Sequence, residues 1–173
     1  MYDLEQIVNQ IYRTPSDINE HIPTLIKYGH ECDHITEMGV RWVRSTWAFL
    51  GSAPKKLISY DIQDPSVWDF NIQDVYDTAK YYNLDFTFIL ANVLEVEIEE
   101  TDLLFLDTWH SYKQLKAELA LHASKVKKYI IFHDTTLFGS QLMPVIEEFL
   151  REGSFEVIEH IKTSPGLMVI KRK

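Results

Sequence analysis

Two all-apolar runs of strand length, Leu103-Leu104-Phe105-Leu106 and Tyr129-Ile130-Ile131-Phe132, break off abruptly into acidic and imidazole side chains. Asp107 and His110 follow the first; His133 and Asp134 end the second. A strand that is apolar at every position must be covered on both faces, as in a parallel sheet flanked by helices. Polar groups that follow such strands emerge at the carboxyl ends, where open α/β sheets bind ligands. One such ending is a turn or a helix cap; two in series point to a site.

The remainder of the chain supports that architecture. Residues 3–12 place Leu4, Ile7, Val8 and Ile11 at helical spacing. A second helix follows Pro15-Ser16-Asp17 and reaches Tyr28, with Gly29 as its stop. From there strand and helix alternate, with strands over 34–39, 56–61, 85–92, 101–108 and 128–134. The intervening helices are expected over 45–50, 66–82, 111–126 and 142–151. Residues 155–161 and 166–171 close the chain as a hairpin around Thr163-Ser164-Pro165-Gly166. This alternation predicts an α/β, doubly wound, mostly parallel sheet with right-handed crossovers and one antiparallel strand from the hairpin. No linker or repeat interrupts residues 1–173, which read as one domain: N-terminal helices over 1–30 and a core over 34–173.

Charge and cysteine content narrow the function. With 17 basic against 26 acidic residues the formal charge is −9, which disfavours a nucleic-acid binder because phosphate contacts need a basic face. The single cysteine, Cys32, permits no intrachain disulfide and is compatible with a reducing compartment. Without an apolar leader or a membrane-length run, the expectation is a soluble, cytoplasmic protein that takes a small molecule and no membrane.

A nucleotide-type ligand asks three things of such a sheet: a tight turn after the first strand, an acid after the second for ribose hydroxyls, and a polar group further along for the base. Gly39, Asp61 and Asn92 stand in that order. Each is weak alone, and the order is more specific.

Taken together, Glu37-Met38-Gly39-Val40-Arg41, Ser45-Thr46-Trp47-Ala48, Ser59-Tyr60-Asp61, Leu106-Asp107-Thr108-Trp109-His110-Ser111-Tyr112 and Phe132-His133-Asp134 resemble the class I S-adenosylmethionine-dependent methyltransferases. The resemblance is closest to metal-dependent small-molecule O-methyltransferases, the branch with macrolide-sugar methyltransferases and cephalosporin-hydroxylase-like proteins. It implies a Rossmann-like, seven-stranded sheet and methyl transfer to a hydroxyl of a small acceptor. Glu37 and Gly39 would line the methionine end of the cofactor, Asp61 would hold its ribose and Asn92 its adenine. Asp107 is assigned to both the cofactor and a divalent metal, with His133 and Asp134 completing the metal group. Oxygen ligands suit Mg2+; an added imidazole shifts the preference toward Mn2+, iron or zinc. A cation there would lower the pKa of the acceptor hydroxyl, and His110 would take its proton as the catalytic base.

Two departures stand out. The loop Gly39-Val40-Arg41-Trp42-Val43-Arg44-Ser45 lacks the family's second glycine, and few residues precede the first strand to cap the acceptor. The acceptor side is therefore open or completed by another subunit of a homo-oligomer. Two other readings follow: a non-catalytic cofactor- or partner-binding protein, and a metal-dependent hydrolase built on Asp107, His133 and Asp134. The hydrolase is disfavoured because no phosphate-cradling glycine loop is present. His30, His34, His122 and His160 lack a constellation, and the acidic residues between 95 and 100 read as a solvated face.

Overall fold

The alternation expected from residue 34 onward forms a single seven-stranded sheet in the computed structural model, which describes residues 3–173. The strands are β1 (His34–Met38), β2 (Lys56–Asp61), β3 (Asp85–Leu90), β4 (Thr101–Leu106), β5 (Val126–His133), β6 (Phe155–Ile161) and β7 (Leu167–Arg172). Their order across the sheet is β3-β2-β1-β4-β5-β7-β6. The first five are parallel, and β7 inserts antiparallel between β5 and β6. Six helices accompany them: α1 (Leu4–Arg13), α2 (Ile22–Gly29), α3 (Arg44–Gly51), α4 (Ile72–Tyr81), α5 (Tyr112–His122) and α6 (Gly139–Arg151). Among the described residues no helix is long and apolar enough to cross a membrane.

The two apolar runs are explained by two-sided burial. Leu103 and Phe105 of β4 join a core layer with Leu25, Trp47 and Val75, from α2, α3 and α4. Leu104 and Leu106 point the other way, into a layer with Leu115 and Leu119 of α5 and Val145 and Ile146 of α6. The same alternation splits Tyr129 and Ile131 from Ile130 and Phe132 on β5. Because side chains alternate faces along a strand, a run sandwiched between helical layers has no solvated position to spare for a polar residue.

Three elements differ from the sequence expectation. The helix expected over 66–82 is interrupted: a 3-10 turn, Pro65–Trp68, ends at Asp69 in a left-handed conformation (φ 61°). Asn71 then caps α4 by accepting from the Gln73 amide at 3.1 Å. The helix expected over 111–126 stops at His122, and a 3-10 turn over Ala123–Lys125 leads into β5. There the Arg172 guanidinium takes up the carbonyls of Ala123 and Val126 that a continuing helix would have used. The second expected helix likewise splits into a 3-10 turn, Asn19–His21, and α2.

The site is positioned by the middle of the sheet. β1 is followed in sequence by β2 on one side and neighboured by β4 on the other, so the connections leaving β1 and β4 diverge to opposite faces. The crevice at such a switch point lies outside the carboxyl ends of the strands.

Candidate functional site

Gly39 sits at that crevice. It has φ +92°, and a Cβ built on it would fall 1.9 Å from the Asp107 carbonyl oxygen, so only glycine fits between β1 and β4. Its amide donates to the Tyr60 carbonyl at 2.9 Å, and the Asp107 amide donates to the Met38 carbonyl at 2.9 Å. A cavity of about 570 Å³ opens here, and its wall includes Gly39, Asp61, Asn92, Asp107, His110 and Asp134. Two of the sequence-derived residues, Glu37 and His133, lie behind the wall instead.

On the β2–β3 side the polar groups bind the backbone. Asp61 Oδ2 accepts from the amides of Val40 (2.7 Å) and Arg41 (3.0 Å), and Oδ1 accepts from Gln63 (2.9 Å). A carboxylate has about four acceptor positions, so roughly one remains for a ligand hydroxyl. Asn92 Oδ1 accepts from the Leu94 amide at 3.1 Å and its Nδ2 donates to Glu95 at 2.9 Å, capping the 3-10 turn Val93–Glu95. Adenine recognition by the Asn92 side chain would require release of that cap. Buried Glu37 accepts from Ser59 (2.6 Å) and Thr46 (2.8 Å) through Oε2, tying β1 to β2 and α3. Burial pushes its carboxyl up to about 7 despite those hydroxyls.

The missing second glycine has a structural counterpart. Val43, immediately before α3, adopts a left-handed conformation (φ 53°) and is buried. β-Branched residues are rarely found there, so the loop keeps a glycine-like shape at a cost in backbone strain. Arg41 lies over the Trp42 ring at 3.8 Å and pairs with Asp17 at 3.3 Å, and all three residues line the cavity, so the bulk that replaces the glycine stands at its wall.

On the β4–β5 side the polar groups bind one another. His110 Nε2 lies 2.7 Å from Asp134 Oδ2 and 3.2 Å from Asp107 Oδ1, with its ring stacked on Phe138 at 4.4 Å. His133 Nδ1 is 3.4 Å from both Asp107 Oδ1 and Asp134 Oδ2. Burial would lower both imidazoles, but the paired carboxylates outweigh it and raise His110 to about 9 and His133 to about 10. Burial likewise acts to raise Asp107, yet the two imidazoles hold it well below the usual carboxylate range. The two carboxylates therefore favour the protonated form of His110, the candidate base.

The donor set fits a divalent cation. Asp107, His110 and Asp134 each offer one ligand atom, all within 4.8 Å of one another. Asp134 Oδ1 is buried with no hydrogen-bond partner, which is an open acceptor position in that group. The sequence expectation placed His133 in this group: its Nδ1 lies 3.4 Å from both carboxylate oxygens while its Nε2 turns toward His21 at 3.1 Å, and His110 Nε2 is the imidazole nitrogen nearer to them. His21 escaped sequence reading because it carried no signal beyond a lone histidine before Ile22-Pro23. Trp109, on the cavity rim and 77% exposed, was read only as a neighbour of His110.

No protein-family model matches the sequence, and no curated protein is similar to it. Solved structures are similar along nearly the whole chain. Magnesium protoporphyrin IX methyltransferase from Synechocystis, with bound S-adenosylmethionine, gives a TM-score of 0.70 at 13% identity over 98% of this chain and 91% of that one. A Corynebacterium glutamicum protein gives 0.74 at 14% identity, over 96% and 89%. A Staphylococcus aureus protein provisionally named a caffeoyl-CoA O-methyltransferase gives 0.70 at 12% identity, over 100% and 93%. The fold is that of the class I methyltransferases. In this class I fold the inserted β7 lies beside β5, opposite the side on which β4 and the cavity lie. The loop following β5 is held from that side, because the Pro165 carbonyl accepts from the amides of Thr136 and Leu137, both at 2.9 Å.

Proposed function

We propose that the chain binds S-adenosylmethionine in the cavity and transfers its methyl group to a hydroxyl of a small-molecule acceptor. The observation that carries this reading is the continuity of one cavity, from Asp61 and Asn92 at one end to Asp107, His110 and Asp134 at the other. Its volume of about 570 Å³ lies within the range of small-molecule sites. Gly39 lets the backbone approach the cofactor, the remaining acceptor position of Asp61 takes a ribose hydroxyl, and the segment around Asn92 faces the base. Glu37 acts behind the wall by holding the loop-bearing ends of β1 and α3 together.

Such a transfer would join the acceptor oxygen to the methyl carbon in line as the carbon–sulfur bond breaks, with the oxygen's proton passing to a base or to solvent. Asp107, His110 and Asp134 are the residues that would hold Mg2+ or Mn2+, and such an ion lowers the pKa of a hydroxyl bound to it. His110 Nε2 cannot hold an ion and take a proton at once: with an ion bound it would be a ligand, and without one it could accept the acceptor's proton only after giving up the one it shares with Asp107 and Asp134.

Calorimetric titration with S-adenosylhomocysteine, with and without Mg2+ or Mn2+, tests the reading. Wild type should bind, and Asp61→Ala should bind at least about tenfold more weakly because a charge-assisted contact and the loop clamp are both lost. Undiminished binding by Asp61→Ala would remove the ribose assignment. A second reading, cofactor binding without turnover, is favoured by the strained, glycine-free loop at Val43. It predicts S-adenosylhomocysteine binding with no methylated product from any acceptor at any pH or with either ion.

A further inference from the structure

His21 is buried and lies outside both the cavity wall and the carboxylate group. His21 ends the 3-10 turn Asn19–His21, is 1% exposed, and places Nδ1 3.1 Å from Nε2 of His133. The two rings meet edge to face with centroids 5.1 Å apart. On its other side, His133 aims Nδ1 at Asp107 Oδ1 and Asp134 Oδ2, each 3.4 Å away. His21 is anchored in its turn. Asp17 pairs with Arg41 at 3.3 Å, and the Thr14 carbonyl accepts from Arg44 at 3.2 Å. Ser16 Oγ accepts from the Asn19 amide at 3.0 Å.

An imidazole ring is nearly symmetric in shape. Packing alone hardly distinguishes the two orientations related by a ring flip, which exchange a nitrogen with a carbon. A polar partner on one nitrogen removes that ambiguity and fixes what the other nitrogen faces. Resting on the reading of Asp107, His110 and Asp134 as the reactive end of the site, we propose that His21 is a positioning residue that locks the His133 ring with Nδ1 toward the two carboxylates. The N-terminal segment thereby forms part of the site from behind, although it precedes the sheet in sequence.

The test compares wild type with His21→Phe and His21→Asn by long-range 1H–15N spectra of the imidazole rings, with Mn2+ and S-adenosylhomocysteine titrations alongside. Phenylalanine keeps the volume and the edge-to-face contact but has no nitrogen; asparagine restores a polar group where Nδ1 lies. The expected result is a single His133 ring state in wild type and His21→Asn. In His21→Phe the His133 signals should shift or average between two states, and Mn2+ should bind about tenfold more weakly, with S-adenosylhomocysteine affinity unchanged. An unchanged His133 spectrum in His21→Phe would overturn the inference, as would equal disruption in both variants together with lost S-adenosylhomocysteine binding. The ring spectra decide the role of His21 independently of methyl transfer. Failure of wild type to bind S-adenosylhomocysteine would instead count against the proposed function.

Discussion

At the β2–β3 end of the cavity the polar side chains chiefly accept from neighbouring backbone amides, whereas at the β4–β5 end they bind one another. Asp61 and Asn92 cap turns and leave little spare capacity, so their geometry is set before any ligand arrives. Asp107, His110, His133 and Asp134 form a charged group in which Asp134 Oδ1 is left without a partner. The first arrangement is a rigid mould whose cost is met by ordinary hydrogen bonds. The second is a balance of protons and charges, sensitive to pH and to any cation. The carboxyl end of one sheet thus combines a shape-determining half and a chemically responsive half, and Gly39 against Asp107 is where they meet.

Replacing Gly39 by alanine should break both halves at once. The added Cβ collides with the Asp107 carbonyl and the φ of +92° is strained for alanine, so a loss of about 3 kcal/mol or more is expected. Urea denaturation measures it, and a Gly39→Ala protein of wild-type stability would refute the close approach of β1 to β4.

The responsive half should reveal itself through pH. The His110 pKa is raised in the fold from 6.5 to about 9, so its pairing stabilises fully below about 6.5 and is lost as pH rises through about 9. Asp134→Asn tests this, since asparagine tolerates the left-handed backbone at this position (φ 59°). The variant should lose about 2 kcal/mol at pH 6 and show a flatter decline between pH 6.5 and 9 in denaturation curves. An identical pH profile in the two proteins would show that the pairing contributes nothing to stability.

The smallest effect concerns the mould. Val43→Gly and Val43→Ala both lose buried methyl groups, but only glycine relieves the left-handed strain. Glycine should therefore be the more stable of the two by about 1 kcal/mol, the reverse of the order in a helix interior. Thermal melts of the pair decide the point.

Much of this was legible beforehand. The runs at Leu103–Leu106 and Tyr129–Phe132 announced doubly covered strands, and the order Gly39, Asp61, Asn92, Asp107, Asp134 follows the cavity wall. The broken 66–82 helix was not legible, because its apolar spacing continues through Asp69 and the interruption depends on Asn71 capping a new start. Nor was the contact of His21 with His133, which spans 112 positions.

Strand–helix alternation, and the identity of the acids and imidazoles that emerge at the strand ends, were determined by the sequence alone, because periodicity and two-sided burial are written in neighbouring residues. Which nitrogen faces which carboxylate, which imidazole keeps its proton and which acid is occupied by backbone amides were decided only by the tertiary structure. Hydrogen bonds and protonation equilibria depend on separations of a few ångström between groups far apart in the chain.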